Sequence, residues 1–242
     1  APLPRPLLEQ AVRLLPDASI HTPYGMTECL LVTDVDLDGI RAAGTGPGVC
    51  VGPPVPGVEL RVTPLDPLGR PAGGPTAEPD VLGEIEIRAP HMLAGYDRLW
   101  RTDRAARTRD GWHRTGDVGR LDPEGRLHVE GRLPHVVSTA DGVVTPVAIE
   151  QAAESAGVRR AAAVAVGPAG TQQLVVVAEG HPAGLAPPAV AAAVRAAVPR
   201  PVAAVLGTPR LPTDVRHNSK IDRTRVAGWA TRVLGGDRTS RP

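Results

Sequence analysis

Phenylalanine is absent from the 242 residues, and three Trp with two Tyr make up the whole aromatic complement. Beside 27 Gly and 27 Pro this composition invites comparison with disordered chains, but the apolar fraction is 42 %, carried mainly by Val, Leu and Ala. That is enough for a folded core, so the bias reads as a coding preference for Ala, Arg, Gly and Pro. Cysteine occurs only at Cys29 and Cys50. Their separation excludes a Cys-x-x-Cys metal or redox pair, and two thiols make no disulfide scaffold. Small core or loop thiols in a reducing, cytoplasmic setting are expected. No apolar run approaches the ~20 residues that span a bilayer. The opening Ala1-Pro2-Leu3-Pro4-Arg5-Pro6 has no initiator Met, and neither the charged start nor the apolar run of a secretory signal. The 27 basic and 26 acidic residues nearly cancel and form no long basic block, which argues against a nucleic-acid partner.

Lysine is the scarcest charged residue. Lys220 stands alone beside 26 arginines, inside Asn218-Ser219-Lys220-Ile221-Asp222-Arg223. Arginine offers a rigid fork of donors, whereas lysine offers a compact point charge that can reach into a crowded polar centre. A chain with so little use for ammonium groups invites a chemical explanation for the one it keeps.

The apolar spacing predicts a short helix over Leu7–Leu15, closed by Pro16. A strand is expected at Ile20–Tyr24, entering a turn at Gly25. Residues 31–57 read as loops with short strand pieces, and Pro64–Pro79 as a surface connection. Alternation predicts strands at Val58–Val62, Leu82–Arg88 and Arg126–Glu130. Asp141-Gly142 marks a hairpin. Thr145-Pro146 caps a helix running to Ala156, with Gly157 as its stop. Buried strands are expected at Ala161–Val166, Leu174–Ala178 and Val202–Leu206. Helices are expected at Pro187–Val198 and Asp222–Leu234, the second with Trp229 on its apolar face, before a frayed tail from Gly235. The fold class is α+β: residues 1–132 are strand-dominated and residues 133–242 form a small α+β domain.

Four segments, with Gly131-Arg132 in addition, carry chemistry. Thr27 and Glu28 follow a glycine turn, where a hydroxyl could serve a phosphate oxygen and a carboxylate a hard cation. Asp117 follows Thr115-Gly116, an expected sharp turn that presents a carboxylate able to accept from a vicinal diol. Gly44-Thr45-Gly46-Pro47-Gly48 lacks the Lys-Ser/Thr end of a phosphate loop and is read as a turn. The seven His include no His-x-x-x-His pair, and spacing alone supports no Ser-His-Asp arrangement. Together, Tyr24-Gly25-Met26-Thr27-Glu28, Gly83-Glu84 with Gly95-Tyr96, Arg114-Thr115-Gly116-Asp117, Gly131-Arg132 and the Lys220 segment resemble, in order and spacing, the adenylate-forming synthetases. The resemblance covers nearly the whole chain but only the C-terminal part of the family's length. It implies an ATP- and Mg²⁺-dependent ligase of a carboxylic acid. Tyr24 and Gly25 would lie at the adenine, Thr27 at phosphate and Glu28 on Mg²⁺. Asp117 and Arg132 would lie at the ribose, and Lys220 would be delivered by a loop of the small domain to the α-phosphate.

Two departures sharpen this expectation. The Ser/Thr/Gly-rich phosphate loop of the family is not in the chain, so it looks like part of a longer enzyme whose N-terminal part is its partner and without which adenylation is not expected. Pro134 takes the usual hinge position in Gly131-Arg132-Leu133-Pro134-His135, with φ held near about −65°. That is similar to the β-lactone synthetases of long-chain olefin biosynthesis, as are Thr145–Gln151, Gly170–Gln173 and Asp214–Lys220. The branch implies a 2-alkyl-3-hydroxy fatty acid as substrate, other olefin-pathway enzymes as partners, and no CoA step. A fatty acyl-CoA synthetase and a non-catalytic nucleotide- or partner-binding remnant are the alternatives.

Overall fold

A computed structural model describes residues 5–214, 220–237 and 242. It divides into two compact units, one of residues 5–65 and 71–130, the other of residues 66–70 with the described residues from 131 onward. None of the described helices is long and apolar enough to cross a membrane.

The first unit opens with α1 (Arg5–Leu14), close to the expected helix. The strand expected at Ile20–Tyr24 begins only at its last residue: β1 is Tyr24–Met26, preceded by an isolated bridge between His21 and Asp36. Pro23 has no N–H to give a ladder, so regular pairing waits until Tyr24. β1 then pairs antiparallel with β2 (Cys29–Thr33). Residues 31–57, read as loops with short strand pieces, hold the short strand β3 (Val49–Gly52) and, unexpectedly, the helix α2 (Leu37–Ala42). Asp36 caps α2 by accepting from Gly39 N at 2.7 Å, a signal present in the sequence but obscured by the density of Gly and Asp.

β3 joins a five-stranded sheet with β4 (Glu59–Pro64), β5 (Gly83–Arg88), β6 (His113–Leu121) and β7 (Leu127–Arg132), in the order β3-β7-β6-β5-β4. A short helix, α3 (Trp100–Ala105), precedes β6. β6 was hidden from sequence reading because its centre is Arg114-Thr115-Gly116-Asp117, a polar, glycine-containing run. Val62, Ile85, Ile87, Val118 and Leu127 are at most 1 % exposed and form the centre of this unit's core.

In the second unit a 3₁₀ turn over Leu133–His135 leads into the hairpin β8 (Val137–Thr139) and β9 (Gly142–Val144), turning at Asp141 as expected. α4 (Pro146–Ser155) starts after an extended Thr145 with Pro146 in its first turn. A four-stranded sheet follows, in the order β10-β11-β13-β12, from β10 (Ala161–Val166), β11 (Gln173–Glu179), β12 (Gly184–Leu185) and β13 (Ala204–Thr208). Ala161, Ala163, Leu174 and Val176 pack with Ile149 and Ala153 of α4 and Val194 of α5 (Pro188–Ala197). Their neighbours Ala162, Val164, Val175 and Val177 pack with Val226, Trp229 and Ala230 of α6 (Arg223–Leu234). Both faces are thus covered, which is why these strands read as continuous apolar runs.

Trp229 is fully buried in that second layer. Trp229→Ala is expected to lower unfolding free energy by about 3–5 kcal/mol through lost burial and cavity formation. Urea denaturation followed by circular dichroism measures it, and a loss below 1 kcal/mol would contradict the packing.

Candidate active site

Two motif residues separated by 93 positions meet in the first unit: Tyr24 donates its hydroxyl to Asp117 Oδ2 at 2.7 Å. Asp117 does not follow a free turn. It lies inside β6, where Glu84 faces Val118 and Glu86 faces Arg114, so that Ile85 alone stands opposite Thr115, Gly116 and Asp117. The expected sharp turn is a β-bulge, the device that re-aims a side chain without breaking a strand. Gly116 sits at φ +70°, a conformation costly for a residue with Cβ. Thr115 closes the bulge by donating Oγ1 to Ile85 O at 2.9 Å and accepting from Asp117 N at 3.0 Å. Arg114 enters it with Nε and Nη2 on Glu84 Oε2, at 2.9 and 2.6 Å. Gly25 is constrained by proximity, since a Cβ there would lie 2.8 Å from Leu30 Cδ1.

Thr27 and Glu28 are the turn residues between Met26 and Cys29, which pair across the β1–β2 hairpin. Thr27 is exposed and Glu28 half-buried. Glu28 Oε1 accepts from Tyr96 OH at 2.6 Å, and Glu28 O accepts from Leu93 N at 2.7 Å. Arg107 donates to Leu93 O at 2.6 Å and to Asp103 at 3.3 Å, fixing the segment that carries Tyr96. Burial, followed by the hydrogen bond to Glu28, pushes the Tyr96 phenol up to about 12. His113 is buried, and desolvation holds its ring below the usual imidazole range against the pull of Glu28. Among the described residues no group of three or more His, Cys, Asp or Glu could hold a metal ion. Glu28 is a single carboxylate, a donor set that suits Mg²⁺ arriving with substrate phosphates rather than a resident cation.

In the second unit, Lys220 is exposed at the foot of a loop whose middle, including Asn218 and Ser219, lies outside the described residues. The foot is closed by Asp214 N to Lys220 O at 2.8 Å, Asp222 N to Pro212 O at 2.9 Å, and a bridge between Thr213 and Ile221. Asp222 caps α6 through Arg225 N at 3.0 Å. Arg223 then binds Glu150 of α4 with two bonds, 2.8 and 2.6 Å. Glu150 also accepts from Ala163 N at 3.0 Å. Sequence reading quoted Arg223 and Glu150 in separate stretches without pairing them, and gave no role to Tyr96 or His113; no spacing rule links these positions. Arg132 is exposed as the last residue of β7, and Pro134 lies within the 3₁₀ turn that follows.

Ser19 Oγ lies 2.8 Å from His21 Nε2, and His21 Nδ1 lies 2.7 Å from Asp34 Oδ2. The atom order is that of a Ser-His-Asp triad. Yet the imidazole is 47 % exposed, and Ser19 is not on a strand-to-helix elbow. These bonds hold the approach to β1 against Asp34. A cleft of about 470 Å³ lined by Leu60, Arg61, Trp112 and Leu121, among others, contains none of the motif residues.

Residues 1–97 match the AMP-binding enzyme family. The chain is 38 % identical to an olefin beta-lactone synthetase of Xanthomonas campestris pv. campestris, over 95 % of this chain and 46 % of that one. It is 37 % identical to the same-named protein of Stenotrophomonas maltophilia, over 97 % of this chain and 46 % of that one. The crystal structure of ATP-bound MatB from Rhodopseudomonas palustris superposes with a TM-score of 0.71 at 26 % identity, covering 88 % of this chain and 41 % of that one. The chain therefore spans less than half the length of these relatives.

A tyrosine held neutral to about 12 stabilises the fold below its ordinary range near 10. Because the unfolded phenol releases its proton first, stability should fall as pH rises from about 10 towards 12. Absorbance at 295 nm is expected to show the Tyr96 phenol ionising late, and Glu28→Gln should bring that transition down. A late transition that Glu28→Gln leaves in place would contradict the Tyr96–Glu28 contact.

Proposed function

The chain belongs to the AMP-binding, adenylate-forming enzyme family, and on that premise we propose that it is the C-terminal part of a ligase that activates a 2-alkyl-3-hydroxy fatty acid as its acyl adenylate and closes it to a β-lactone. The observation that carries the nucleotide reading is the Tyr24–Asp117 hydrogen bond, which gathers two distant motifs into one corner. In the proposed roles the Tyr24 ring and the Gly25 backbone flank adenine. Asp117 accepts from the ribose diol, assisted by Arg132, and the Thr27 hydroxyl donates to phosphate. Glu28 would hold Mg²⁺, which supplies charge neutralisation at the phosphates.

Attack of the substrate carboxylate on the α-phosphate brings two anions together before pyrophosphate departs. A fixed cation stabilises that developing charge, and we assign it to Lys220. The acid's own 3-hydroxyl then attacks the adenylate carbonyl: the ring C–O bond forms, the hydroxyl proton passes to solvent, and the bond from the acyl carbon to the bridging oxygen breaks so that AMP leaves with that oxygen. An internal nucleophile gains from proximity and needs no thiol acceptor. Pro134, in the turn after β7, supports this reading over a CoA ligase, because a fixed φ opposes a large swing at that residue.

The test joins this chain to the N-terminal half of the X. campestris relative and supplies a 2-alkyl-3-hydroxy acid, ATP and Mg²⁺. AMP and β-lactone are expected without CoA; a strict CoA requirement would overturn the lactone reading. Lys220→Ala should slow ATP–pyrophosphate exchange by roughly 10²–10³-fold, with AMP affinity by calorimetry little changed. Normal exchange in that variant would remove Lys220 from the mechanism.

A further inference from the structure

We infer that Tyr96 is a positioning residue for the Glu28 carboxylate, holding one of its oxygens so that the group is oriented towards a divalent cation carried in on nucleotide phosphates. The inference rests on the nucleotide reading above and adds to it a residue that the motifs left without a task. Three observations support it. The hydroxyl lies 2.6 Å from Glu28 Oε1, a short charge-assisted bond to a half-buried carboxylate. The Glu28 backbone is held by Leu93 N, and the segment that carries Tyr96 is held by the Arg107 side chain on Leu93 O and by Leu99 N on Tyr96 O at 3.5 Å. The pair therefore keeps its geometry without relying on two free side chains finding each other.

The third observation is compositional. The chain has two tyrosines and no phenylalanine, and each tyrosine donates its hydroxyl to a motif carboxylate: Tyr24 to Asp117 and Tyr96 to Glu28. Ring packing alone would be served by an aliphatic or a Trp side chain. What tyrosine adds is a directed donor that stays neutral beside an anion, leaving the carboxylate ionised for the cation. Outer-shell donors of this kind orient hard ligands and change metal affinity without touching the metal.

The experiment uses this chain and calorimetric affinities for AMP in EDTA, ATP in EDTA, and ATP with saturating Mg²⁺. For the wild type, Mg²⁺ is expected to tighten ATP binding. Tyr96→Phe should shrink that Mg²⁺-dependent gain by roughly 10-fold while leaving AMP affinity unchanged, a split that general loosening of the fold would not produce. Glu28→Gln should abolish the gain. If Tyr96→Phe fails to fold by thermal melting, Glu28→Asp takes its place, since a shorter carboxylate keeps the charge but withdraws from the phenol. A full gain in Tyr96→Phe (or in its Glu28→Asp stand-in) with loss in Glu28→Gln would overturn the role of Tyr96 alone. A full gain in Glu28→Gln would overturn the metal reading of Glu28 itself, and no gain in the wild type would overturn both.

Discussion

Among the described residues five glutamates are buried, at 1 to 7 % exposure, and each is held by an arginine. An unpaired carboxylate at such depth would cost several kcal/mol, so the fold depends on these guanidinium partners being in place. Arg61 and Arg114 fasten Glu86 and Glu84 of β5 from the strands on either side, and Arg120 fastens Glu130 of β7. Arg159 meets Glu179 at the end of β11, and Arg223 ties the start of α6 to Glu150 of α4. Arginine suits this work because its planar fork can satisfy a carboxylate with two bonds and loses charge at no accessible pH. The compositional bias is thus put to structural use, and it explains why the single lysine stands apart. The cations that reach buried carboxylates are arginines, themselves partly or, for Arg159, largely exposed; Lys220 is exposed at the foot of a loop.

The same pairings set the geometry of the candidate site. Arg114 is locked onto Glu84 immediately before the bulge, and Thr115 is locked onto Ile85 within it, so Asp117 is presented by a stiff sheet rather than a pliable turn. Tyr24 comes to Asp117 from a hairpin whose other end holds Glu28, which meets Tyr96. The two phenols therefore link two carboxylates to the ordered backbone, one through a sheet bulge and one through a pinned loop. Both carboxylates are thereby held in fixed orientations.

Much of the fold was legible where a segment's periodicity agreed with its environment. α4, α5 and α6 and the apolar runs of β10 and β11 lie close to where pattern placed them, because both faces of the second unit's sheet are covered. Legibility failed where polar residues occupy a strand. β6 was missed because Arg114, Thr115 and Asp117 satisfy their polar groups sideways, through Glu84, Ile85 and Tyr24, relationships that span 30 to 93 positions. β2 and β3 answer to the short strand pieces expected around residues 31–57, but α2 was missed because Gly, Pro and Asp density read as loop, although Asp36 acts as an ordinary helix cap. The candidate site residues were singled out by resemblance in order and spacing. Glu150, His113 and the task of Tyr96 were not, since nothing local marks a residue whose importance is its partner.

By itself, the order of short motifs along the chain determined the family, the candidate nucleotide residues and the singling out of Lys220, because those features are local in sequence and chemical in kind. The apolar periodicity determined most of the second unit, because burial imposes a period that can be counted. Only the tertiary structure decided that Asp117 stands on a bulge against Tyr24, that Glu28 is held by Tyr96, and that every buried glutamate has its arginine. Those outcomes depend on which strands become neighbours, and hydrogen bonds between distant residues leave no period to read.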